Sequence, residues 1–176
     1  MSYPKIPSVT NESSEWHWGP TYFETSYTNK TVLDLGASTG DAAEYFLHMG
    51  AKCVISIEGN PEYFKKLEEN SKLFDGKLIP IFMFIENSEQ LENIIKKYLP
   101  NFVKSDIEGA ESYLIDMKDE IWNLIPEYII EFHDGYPGIV PSVENMYKKY
   151  EKTNYQILQD IISPLFNRVI HAVGRK

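Results

Sequence analysis

The sequence predicts an α/β protein, a three-layer α/β/α sandwich around a seven-stranded, mostly parallel sheet that closes with an antiparallel hairpin. Three observations carry this. From Thr31 onward, short apolar runs alternate with amphipathic stretches of helical period. That alternation runs for five strand-to-helix steps. The last two apolar runs are joined only by a short loop around Ser163-Pro164, which suits an antiparallel pair.

Strands are expected at residues 32–36, 52–57, 77–85, 102–106, 128–132, 155–160 and 168–172. The first helix, 42–49, follows a turn bracketed by Gly36 and Gly40. The second, 61–70, opens with Pro61 at a first helical position behind a capping Asn60. The third, 88–98, places Leu91, Ile94, Ile95 and Tyr98 on one face and stops before Pro100. Helices at 110–116 and 143–152 complete the alternation. Residues 1–29 differ in kind. They combine Pro4, Pro7 and Pro20 with Trp16, Trp18, Tyr22, Phe23 and Tyr27 in a polar background, and read as an arm or lid preceding a body at 30–176. Rings in such an arm need a surface to cover, and His17, set between two tryptophans, fits simple packing.

At 176 residues and 20.4 kDa the chain is long enough for a full core without staples. A formal net charge of -9 argues against a phosphate backbone as the main partner. A single cysteine, Cys53, allows no internal disulfide and no Cys-rich metal site. Neither a signal peptide nor an apolar run of membrane-spanning length is evident, so the expected location is cytoplasmic. Nothing in the sequence sets the oligomeric state.

The stretch from Thr31 to Glu58 is a βαβ unit with a tight first turn and an acid about twenty residues on, the layout of a nucleotide-type cradle. The turn reads Gly36-x-x-x-Gly40, so the dinucleotide pattern G-x-G-x-x-G is absent, with Ser38 where its second Gly belongs. No P-loop string occurs. Asp34 beneath the turn would repel a pyrophosphate and attract an amino group, directly or through water. An acidic cradle of this kind fits S-adenosylmethionine, whose sulfonium and ammonium are both positive. Gly36, Ala37, Ser38 and Gly40 would bring backbone against its methionine end, where larger side chains would take the ligand's space. Glu58 would accept hydrogen bonds from both ribose hydroxyls.

These residues also carry a resemblance. Val-Leu-Asp34-Leu-Gly36-Ala37-Ser38-Thr-Gly40-Asp41 resembles motif I of class I S-adenosylmethionine-dependent methyltransferases, whose Rossmann-like sheet has the same terminal hairpin. Within that superfamily, Val-Lys104-Ser-Asp106-Ile-Glu108-Gly109-Ala-Glu111 looks like the K-x-D-x-E-G-A-E motif of the FkbM group. Glu58-Gly59-Asn60-Pro61 is similar to that group's E-P-N-P, with Gly59 where Pro is usual, and Ile130-Glu131-Phe132-His133 to its late E-x-H. The matches run in order from about Thr31 to His133. The chain is shorter than typical members, which leaves less material for an acceptor lid. The resemblance implies a cofactor-binding set of Asp34, Gly36, Ala37, Ser38, Gly40, Glu58, Gly59 and Asn60.

Other candidates come from position. Glu86 and Asn87, after the third strand, are placed to reach the adenine edge, although an Asn there is also a natural helix cap. Asp106 ends the fourth strand, at the rim where ligands of open α/β sheets bind, and is a candidate to face sulfonium or acceptor. Glu108 and Glu111 suit the N-terminal turn of the next helix. His133 ends the fifth strand, where a neutral imidazole would take a proton from an acceptor hydroxyl. A magnesium ion held by Asp106, His133 and Asp134 is a lesser alternative, and the preferred reading involves no metal. The expected activity is methyl transfer from S-adenosylmethionine to a hydroxyl of a small molecule or sugar, with Asp106 and His133 as the catalytic pair. Two alternatives stand beside it: methylation of RNA, and a non-catalytic cofactor-binding partner subunit.

Overall fold

The computed structural model describes residues 25–133, 142–162 and 168–175. Expectations for the aromatic arm before Thr25, for His17, for Asp134 and for the Ser163-Pro164 loop lie outside these residues. The described residues form two compact units that divide between Phe84 and Ile85.

In the first unit β1 (Thr31–Leu35), α1 (Asp41–His48), β2 (Cys53–Glu58), α2 (Pro61–Ser71), a 3-10 turn (Lys72–Phe74) and β3 (Leu78–Phe82) follow one another. β1 pairs with β2 in parallel, Thr31 opposite Cys53 and Leu35 opposite Ile57, and β2 pairs with β3 in the same sense. Val32, Leu33, Leu35, Val54, Ile55 and Ile57 are all buried, the near-continuous apolar run of strands covered on both faces. α1 turns Ala42, Ala43, Phe46 and Leu47 inward at helical spacing. Tyr27, the described end of the aromatic arm, is buried with its ring 4.8 Å from Phe46. Asn60 caps α2 by accepting from the Glu62 and Tyr63 N–H groups, with Pro61 at the first helical position. β3 is shorter than the expected 77–85. Its Pro80 is tolerated because β3 is an edge strand.

The second unit holds α3 (Ser88–Tyr98), β4 (Phe102–Ser105), α4 (Ser112–Ile115), α5 (Asp119–Trp122), β5 (Glu127–Phe132), α6 (Val143–Lys152), β6 (Tyr155–Ile162) and β7 (Arg168–Gly174). The helix expected at 110–116 is shorter, Ser112–Ile115, and a further short helix that the sequence did not predict, α5, follows it. Between them the buried Glu92 carboxylate accepts the Lys118 N–H at 2.9 Å, which fixes the break. β4 and β5 are parallel. β7 runs antiparallel to both β5 and β6, as the short connection required. Trp122 stacks on Tyr128 at 4.0 Å, with Tyr150 and Tyr155 around them. The Tyr128 and Tyr155 hydroxyls donate to the Trp122 carbonyl, so these polar tips are satisfied inside the core.

Strand order in the seven-stranded sheet is β3-β2-β1-β4-β5-β7-β6. This is the doubly wound, mostly parallel arrangement with an antiparallel terminal pair that the sequence predicts. Among the described residues no helix is long and apolar enough to cross a membrane.

Candidate active site

In the first unit the turn after β1 is fastened to the end of β2. The Gly36 and Ala37 N–H groups both donate to the Ile57 carbonyl, at 3.1 and 3.0 Å. The turn passes through left-handed backbone at Gly36 (φ 74°), Ser38 (φ 48°) and Gly40 (φ 98°); glycine avoids the strain of a Cβ at the first and last, and Ser38 bears it. Asn70 of α2 adds a further tie, donating to the Thr39 carbonyl at 2.9 Å.

Glu58 completes this cradle. The Ser38 N–H donates to its Oε2 and the Asn60 N–H to its Oε1, each at 2.7 Å. These charge-assisted contacts hold the carboxylate in one orientation at the tip of β2. Each oxygen keeps a second acceptor direction, the pair that vicinal hydroxyls need. Asp34 is fully buried in β1, so it offers its field rather than an exposed contact at the turn. A Cβ at Gly59 would lie 2.8 Å from Phe84 Cδ2 and 3.0 Å from Phe84 Cα, so Gly59 lets the chain after β3 pass close to the cradle. Phe84 itself is 73% exposed.

In the second unit, Glu86 and Asn87 begin α3. Asn87 Oδ1 accepts the Gln90 N–H at 3.0 Å, and Gln90 Oε1 accepts the Glu86 N–H at 2.8 Å. The Asn87 oxygen is thus engaged in capping the helix, as a natural helix cap would be.

Also in the second unit, the rim of β4 and β5 gathers five titratable groups among the described residues. His133, immediately after β5 and only 2% exposed, has Nδ1 2.7 Å from Oε1 of the buried Glu111. A carboxylate only accepts, so Nδ1 carries the hydrogen. The other nitrogen, Nε2, lies 3.5 Å from Asp106 Oδ1 and 3.6 Å from Glu108 Oε2. Lys104, buried in β4, brings Nζ to 3.7 Å from Asp106 Oδ2. Burial is the largest single influence on His133 and opposes its charge. The Glu111 hydrogen bond and the charges of Glu111, Asp106 and Glu108 together outweigh it, so the His133 pKa is raised.

The structure thus brings Asp106 and His133 together. It also supplies two members that sequence reasoning placed elsewhere, since neither Glu108 nor Glu111 caps the following helix. Glu111 stands at the start of α4 without a side-chain cap, and its Oε1 accepts the Gly109 N–H at 3.0 Å as well as holding His133. The reason is the turn, where Glu108 (φ 52°) and Gly109 (φ 101°) are both left-handed and redirect the two side chains. The only signal available in sequence was the Glu-Gly-Ala-Glu spacing itself.

No protein-family model matches the chain, and no curated protein matches it in sequence. Solved structures do match. Aeropyrum pernix fibrillarin with natively bound S-adenosyl-L-methionine is 13% identical at a TM-score of 0.58, over 84% of this chain and 68% of that one. A Bacillus subtilis tRNA methyltransferase is 13% identical at 0.61, over 87% and 63%. The fold is that of the Rossmann-like S-adenosylmethionine-dependent methyltransferases. A Lactococcus lactis protein described as a hemolysin is similar to this chain too, at 15% identity and a TM-score of 0.64, over 99% and 90%. The expectation that nucleic acid is not the main partner draws no support here, because a tRNA methyltransferase is among the similar structures.

Proposed function

We propose that the chain is an S-adenosylmethionine-dependent methyltransferase of FkbM-like type acting on a hydroxyl of a small molecule or sugar. The observation that carries this reading is the Glu58 carboxylate, fixed by the Ser38 and Asn60 N–H groups at the end of β2 with acceptor capacity to spare. Its neighbours suit the same ligand. Small residues line the turn, and the buried Asp34 biases the cradle toward a cation. Gly36, Ala37, Ser38 and Gly40 would hold the methionine end, Glu58 with Gly59 and Asn60 the ribose, and Glu86 with Asn87 the adenine edge.

S-adenosylmethionine, when bound, supplies a methyl already activated on sulfur. The protein's work is then alignment and removal of the acceptor proton. Asp106 and His133 are proposed for that end: Asp106 orients the acceptor hydroxyl, and Nε2 of a neutral His133 receives its proton. Nδ1, held by Glu111, fixes the tautomer that leaves Nε2 as the acceptor.

Calorimetric titration of the chain with S-adenosylmethionine tests this reading. Saturable binding that Glu58→Ala weakens is the expected result, and no binding at millimolar cofactor would overturn it. RNA is the second reading of the acceptor, favoured by the fold shared with a tRNA methyltransferase and opposed by the net charge of -9. Methyl-label incorporation into total RNA against a panel of hydroxyl acceptors separates the two.

A further inference from the structure

We propose that Asp106, Glu108 and His133 bind a first-row divalent metal ion, with Glu111 as the residue that positions the imidazole. One ligand atom from each of the three lies within 4.8 Å of the others. The separations are informative. At 3.5 and 3.6 Å, Nε2 is too far from the two carboxylate oxygens for good direct hydrogen bonds. Atoms held about 2.1 Å from a common ion lie about 3.0–3.4 Å apart at octahedral or tetrahedral angles, close to the two separations from Nε2.

The outer arrangement points the same way. A metal-bound histidine commonly donates its second ring N–H to a carboxylate, which fixes the ring and raises the basicity of the ligating nitrogen. Glu111, 1% exposed, holds Nδ1 at 2.7 Å, and its own Oε2 is buried without a hydrogen-bond partner among the described residues. One imidazole with two carboxylates suits manganese or zinc better than calcium, which takes oxygen ligands. Glu108 is the open side of the site, its side chain 78% exposed.

The proposal goes beyond the methyl-transfer reading and does not rest on it, because ion binding is measured without cofactor or acceptor. With the ion seated, Nε2 is a ligand and is closed to the acceptor proton, so its role as base belongs to the ion-free chain; the ion's charge lowers the proton affinity of any oxygen bound to it.

The test is titration of the metal-stripped full chain with manganese chloride and zinc chloride, followed by calorimetry and, for manganese, by electron spin resonance. The expected result is one saturable site with nitrogen coupling from an imidazole. Glu108→Gln, which alters a mostly exposed side chain, and Asp106→Asn should each weaken it by at least about tenfold, and Glu111→Gln by about 10 to 100-fold. His133→Ala should abolish the nitrogen coupling. The absence of saturable binding by either ion overturns the proposal. So does binding that Glu108→Gln and Asp106→Asn leave unchanged, or bound manganese with no nitrogen coupling. Loss of S-adenosylmethionine binding with the metal site intact would instead count against the methyltransferase reading alone.

Discussion

Oε1 of Glu111 lies 2.7 Å from Nδ1 of His133, and both side chains are almost completely shielded from water. Two residues twenty-two positions apart thereby set one tautomer at the rim of the sheet. Removing one partner strands the other. Glu111→Ala should cost about 3–5 kcal/mol of stability, the usual penalty for breaking a buried pair from one side. Urea unfolding measures it, and a loss below about 1 kcal/mol would show that the pair contributes little.

His133→Ala should leave S-adenosylmethionine affinity within about twofold while slowing methyl transfer by about 100-fold or more, the range of a lost general base. Cofactor titration beside single-turnover rates makes the comparison. Equal loss of both would show that His133 serves the fold rather than the reaction.

Glu58→Gln should weaken S-adenosylmethionine binding by at least about tenfold. A carboxylate accepts on both oxygens, whereas an amide turns one of them into a donor facing an N–H. Unchanged affinity would remove the ribose role.

Gly59→Ala should destabilise the chain by about 1–3 kcal/mol, as overpacking does in a tight site. Its new Cβ meets Phe84 Cδ2 at 2.8 Å, a contact a ring can swing away from, and Phe84 Cα at 3.0 Å, which it cannot. Adding Phe84→Ala should therefore restore only part of the loss. Full restoration would show that the ring alone was the obstacle.

Glu92 links stability to pH. The Lys118 N–H is the largest influence and lowers the carboxyl pKa. Burial opposes it, while the charges of Lys118 and Lys96 add to the lowering. With the folded pKa below the ordinary 4.5, the unfolded chain binds the proton first as pH falls. The contribution is present above about pH 4.5 and is lost on acidification through the folded value. Urea midpoints from about pH 6 to pH 3 should converge between the native chain and Glu92→Gln, and parallel curves would contradict the linkage.

The order of strands and helices was legible because burial on both faces leaves near-continuous apolar runs, and the helices show their period and caps. Asn60 and Pro61 marked the start of α2 to the residue. The break between α4 and α5 was not legible, since a carboxylate from α3 makes it, and the shortness of β3 was equally hidden.

The amino-acid sequence by itself determined the alternation that builds the sheet, the turn from Gly36 to Gly40, and the acid at the tip of β2. Each is a local pattern, written in residues a few positions apart. Tertiary structure alone decided that Ser38 and Asn60 fix Glu58, and that Asp106, Glu108 and Glu111 converge on His133. Those contacts join separate elements through left-handed turns and strand register, and no local spacing encodes a direction in space.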